Sequence, residues 1–101
     1  MNVNIQTVRF NADAKLLDYV NRKIDKLNTF HDSIIKADVY LKLDNVVHAI
    51  KDKTVEIAIH VPRQSYFVKS TSKSFEESFD LALDSMATQI KRKKQKMALR
   101  A

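Results

Sequence analysis

The chain has 101 residues, 18 of them Lys or Arg against 12 Asp or Glu, for a formal charge of +6. It contains no Cys and no Gly, which excludes disulfide frameworks, thiolate metal sites, glycine-rich phosphate loops, dinucleotide fingerprints and nucleophile elbows. The length suits one domain, 1–101, with a single modest core, and the turns fall to Asn, Asp, Ser and the single Pro62.

Residues 2–10 read as a strand in which the alternation Val3, Ile5 changes phase before Val8, Phe10, so a bulge or strand end is expected near Gln6-Thr7. Asn11 or Asp13 can cap a first helix that runs to about Asn28. Leu16, Leu17, Val20, Ile24 and Leu27 form its apolar stripe. Lys15, Tyr19, Arg22 and Lys26 share one flank, Asp18 and Asp25 the other, and Lys23 lies at the border of the stripe.

Ile35, Ala37, Val39, Leu41 and Leu43 alternate with polar residues as a half-buried strand. An apolar connection follows, with Val46, Val47, Ala49 and Ile50, into which the neighbouring strands can extend. Val55, Ile57, Ile59 and Val61 give a third strand, Pro62–Ser65 a turn, and Tyr66–Lys73 a fourth strand in which either Phe67 or Val68 faces inward.

Ser72 or Ser74 can cap the last helix, and Glu76 and Glu77 in its first turn complement the helix dipole. Phe75, Phe79, Ala82, Leu83, Met86 and Ile90 keep one face of it apolar. Beyond Ile90 the pattern breaks into Lys91-Arg92-Lys93-Lys94-Gln95-Lys96, and Lys93 falls on the line of the apolar face. A helix cannot stay packed along that line without burying a lysine, so its end is expected to leave the sheet as a cationic rod. Residues 1–90 hold twelve basic and twelve acidic residues, so the whole net charge sits in 91–101. Charge concentrated in this way suits a polyanion; a basic tail that only solubilises the chain is the plainer alternative.

The order β-α-β-β-β-α predicts an α+β fold, a four-stranded sheet with both helices on one face, the plan of double-stranded-RNA-binding domains with an extra first strand. Three groups of residues go further. They are Tyr19-Val20, Lys23, Lys26-Leu27 and Phe30 in helix one, Leu41-Lys42-Leu43 leading to Val47-His48, and Asp80, Leu83, Asp84, Met86, Ala87, Gln89 and Ile90 before the basic run. In combined order and over essentially the whole chain, they resemble the ribosome hibernation promoting factor family, also called ribosome-associated inhibitors. Where that family often has a basic residue before Gln89, this chain has Thr88.

The resemblance implies a translation inhibitor of the stress and stationary-phase response. Such a protein occupies the mRNA–tRNA channel of the small ribosomal subunit while ribosomes are idle. It implies RNA contacts from Arg22, Lys23, Lys26, Gln89, Lys91, Arg92, Lys93, Lys94 and Lys96, and it implies the short form, without a further dimerisation domain. The expected partners are the small subunit and its rRNA, read by shape and charge with little preference for base sequence. A protein-interaction module that docks an acidic partner through the basic helix end is the alternative.

No enzyme, cofactor, metal or small-molecule substrate is expected, because His31, His48 and His60 lack metal-ligand spacing and no Ser or Thr sits in a nucleophile context. No membrane role is expected either, since no leader pattern or bilayer-length apolar run is present; the expected location is the cytoplasm.

Overall fold

The alternating stretches become the centre of a four-stranded sheet in the computed structural model, which describes residues 1–45 and 51–100, with side chains over 1–43 and 53–94. The strands are β1 (Asn2–Val8), β2 (Lys36–Asn45), β3 (Lys51–Val61) and β4 (Gln64–Ser72), ordered β1-β2-β3-β4. β1 runs parallel to β2, and the other two pairings are antiparallel. Helix α1 (Ala14–Ile24) continues as a 3-10 turn over Asp25–Thr29, and α2 spans Phe75–Arg100. This is the expected α+β order.

One core joins both helices to one face of the sheet. Leu16, Val20, Ile24 and Leu27 from the first helical segment meet Ala37, Val39, Leu41, Val55, Ile57 and Ile59. All six residues of the predicted α2 stripe are buried, with Phe79, Ala82, Met86 and Ile90 completely so. α2 lies over β3 and β4. Asp13 caps α1, its carboxylate accepting from the Leu16 N–H at 2.8 Å, and the Ser74 hydroxyl accepts from Glu77 N–H at 3.1 Å at the start of α2.

Several expectations change in detail. β1 ends at Val8, because Arg9 takes φ 70° and turns the chain out of the sheet. Phe10 then stacks on Phe75, ring centroids 4.5 Å apart, instead of extending the strand. α-Helical geometry stops at Ile24, not Asn28, and Leu17 is only half-buried. Ile35 is 56% exposed while Ile34 is buried, because ladder pairing begins one residue later, at Lys36.

The turn after β3 is two residues long, Pro62-Arg63, with Arg63 at φ 72°. Proline at the first position and positive φ at the second is the pattern of a type II turn. Without glycine, two arginines carry left-handed backbone at about 1–2 kcal/mol each. In β4 the register pairs Ile57 with Val68 and Ile59 with Tyr66, so Val68 and Tyr66 face the core and Phe67 faces out. Burial holds the Tyr66 phenol above its ordinary pKa. The connecting residues Val46, Val47, His48, Ala49 and Ile50 lie outside the described residues.

Candidate nucleic-acid interface

Helical periodicity aligns two rows across the α1–α2 junction. Tyr19, Lys23, Lys26 and Phe30 follow one another at steps of four, three and four; Asp80, Asp84, Ala87 and Lys91 repeat the same steps on α2. The first members meet and so do the last. The Tyr19 hydroxyl donates to both oxygens of Asp80, at 2.9 and 2.7 Å, and Lys23 Nζ donates to Oδ1 at 2.9 Å. Eleven residues on, Lys91 Nζ sits 4.7 Å from the centroid of the Phe30 ring. The two rows therefore run in the same direction.

Asp80 thus fastens α1 to α2. Tyr19 also packs edge-on against Phe79, with centroids 6.3 Å apart, and Lys23 Nζ lies 4.7 Å over the Tyr19 ring. Tyr19 first, then Asp80, hold the Lys23 ammonium above its ordinary pKa. Both side chains of this ion pair remain more than two-fifths exposed, so water screens it.

The far end of the junction is fixed from both sides of α2. Gln89 Nε2 donates to the Phe67 carbonyl on the edge strand at 3.3 Å, Ile90 is fully buried, and Lys91 covers Phe30. Three consecutive residues set the direction in which the helix leaves the core. Lys91, Arg92, Lys93 and Lys94 are all exposed, and none has an acidic partner among the described residues. The helix runs on to Arg100, about 15 Å past Ile90 at 1.5 Å per residue. The side chain of Lys96 lies outside those described.

The structure therefore sorts the expected contact residues. Lys26 and Lys91 line one groove between the helices, about 300 Å³ in volume, and Arg92, Lys93 and Lys94 continue from its end. Arg22 is exposed but paired with Asp18 at 3.1 Å, one turn apart, so Asp18 shares its side of α1 instead of lying opposite. Lys23 is committed to Asp80, and Gln89 turns to the sheet edge. The long-range partners of Tyr19 and Lys23 are not legible in local sequence, because they lie 61 and 57 residues away. Their only sequence signal is the shared four-three-four spacing.

Among the histidines, His60 Nε2 lies 3.1 Å from Asp38 Oδ2 and Nδ1 lies 3.1 Å from Ser65 Oγ, a strand-to-strand link on the open sheet face. His31 Nδ1 accepts from the Ser33 N–H at 3.0 Å. No group of three or more metal-ligating side chains occurs among the described residues. Nor is any helix there long and apolar enough to cross a membrane.

A sheet with two helices on one face, on which cations without an acidic partner among the described residues run from an interhelical groove onto the end of α2, defines the class: an α+β domain built around a basic edge. The family model for sigma 54 modulation protein / S30EA ribosomal protein matches residues 3–98, and the chain belongs to this family. It is 28% identical over 99 residues to a ribosome hibernation promotion factor from Bacillus subtilis, a match that covers 96% of this chain and 50% of the relative. The chain thus spans about half the length of that curated relative. Among solved structures, the Thermus thermophilus Protein Y N-terminal domain is similar at TM-score 0.77 and 27% identity, covering 91% of this chain and 98% of the other. A ribosomal subunit interface protein from Coxiella burnetii shares the fold at TM-score 0.83 and 15% identity, covering 94% and 99%.

Proposed function

We propose that this chain is a ribosome hibernation factor. It binds the small ribosomal subunit in the channel for mRNA and tRNA, through phosphate contacts to rRNA, and so silences idle ribosomes in the cytoplasm. The ribosomal family and the name of the curated hibernation promotion factor support the partner. The observation that carries the mode of binding is the line of cations with no ion-pair partner among the described residues, Lys26 and then Lys91 to Lys94. Lys96 extends that line by sequence, and Arg22 joins it by exchanging Asp18 for phosphate, since exposed pairs contribute about 0–1 kcal/mol. Lys23 fastens α1 to α2 and Gln89 ties α2 to the sheet edge, which together present these cations. Phosphate contacts of this kind fix position and supply salt-dependent affinity.

Chemical footprinting of small subunits tests the reading. Bound protein is expected to protect nucleotides of the decoding region and to inhibit translation in an extract. A footprint with no protected nucleotides there, or binding that survives nuclease treatment of the partner, would replace it with docking onto an acidic protein.

A further inference from the structure

The interhelical groove holds a combination that phosphate binding alone leaves unexplained. Lys26 and Lys91 stand along it, Leu83, Ala87 and Phe30 give it an apolar lining, and Asp84 places a carboxylate among them. That carboxylate is exposed and has no hydrogen-bond or ion-pair partner among the described residues, although two lysines line the same groove. A carboxylate repels phosphate, so on a surface that binds a polyanion it weakens binding unless it meets hydrogen-bond donors.

We propose that the groove takes one unpaired guanine nucleotide of the bound RNA. This rests on the RNA-binding reading above and adds base recognition at a single position. Guanine presents two adjacent N–H donors, N1 and N2, on its Watson–Crick edge, matched to the two oxygens of one carboxylate. Uracil and adenine present one such donor group each, and cytosine one exocyclic amine. The base plane lies against Leu83 and Ala87, Asp84 accepts from its edge, and Lys26 and Lys91 hold the flanking phosphates. Unpaired bases in loops and bulges are the elements of RNA that can be splayed into such a groove. The volume of about 300 Å³ accommodates one nucleotide rather than a helix.

The test uses the full chain and four hairpin RNAs with identical stems and a single bulged G, A, C or U, with binding followed by fluorescence anisotropy. The bulged-G hairpin is expected to bind about tenfold more tightly than the bulged-U hairpin, as a bidentate base contact supplies. Asp84→Asn, isosteric at an exposed position, should bring that ratio within about twofold. The ratio is what is read, because removing a negative charge strengthens binding to every RNA. Equal binding of the four hairpins by the unaltered chain, or a preference that persists in Asp84→Asn, overturns the proposal. Small subunits serve as a parallel arm. If they bind while the hairpins are indistinguishable, only the groove assignment fails; if they do not bind, the functional reading fails with it.

Discussion

Arg22 and Lys23 of α1 and the cations at the end of α2 are the same residue types in different surroundings. On α1, Arg22 faces Asp18 and Lys23 faces Asp80, so each has an acid within 3.1 Å. Past Ile90, four consecutive cations have none among the described residues. A paired lysine near the core positions a helix; an unpaired one on a free helix end is available to a polyanion. The difference teaches that a cation's partners, as well as its charge, decide whether it positions a helix or is left for a polyanion.

The sharpest contrast is between the two halves of α2. Met86→Asp buries an uncompensated charge in the core and is expected to unfold the domain, which circular dichroism would register as loss of a cooperative melt. Neutralising Lys91, Arg92, Lys93, Lys94 and Lys96 to Gln should preserve a cooperative melt, surface changes being worth about 0.5 kcal/mol or less each. The same variant should no longer co-sediment with small subunits at physiological salt. Retained binding would remove the tail from the interface.

A smaller effect separates α1 from α2. Asp80→Ala removes the acceptor shared by Tyr19 and Lys23, and the melting temperature should fall by about 4–8 °C for each kcal/mol lost. Its affinity for small subunits should fall further than that of Lys15→Ala, because the two helices lose their common fastening. Equal affinities would mean that the fastening serves stability alone.

The smallest effect is one of pH. Lys23 and Tyr66 both have folded-state pKa values raised above their ordinary 10.5 and 10.0. For each, the folded state retains a proton that the unfolded state has already lost, so the stability they add is complete below about pH 10 and declines as pH rises through the raised values. Melting temperature should therefore decrease above about pH 10, and Tyr66→Phe should make the decrease shallower. A flat profile from pH 9 to 11 would contradict the burial of that phenol.

Much of this fold is legible in the sequence, because periodicity reports burial directly. Phe75 to Ile90 and Val55 to Val61 are buried as their spacing requires. The choices the sequence leaves open are those that depend on register. Phe67 and Val68 are equally apolar, and only the pairing of Ile57 with Val68 selects between them; the alternation puts Ile35 inside, yet Ile34 is the buried one and Ile35 is exposed. The basic run is legible because charge clusters along the chain. The roles of Asp80 and Gln89 are not, because each depends on an element that is distant in sequence and brought near by packing.

The central claim is that unpaired cations bind RNA phosphate, and the salt dependence of affinity for small subunits tests it most directly. With about five to eight phosphates neutralised, log K against log salt concentration should fall with a slope of about −4 to −7. Lys26→Ala should reduce that slope by about one unit. A slope near zero, or one that Lys26→Ala and the tail substitutions leave unchanged, would contradict the account.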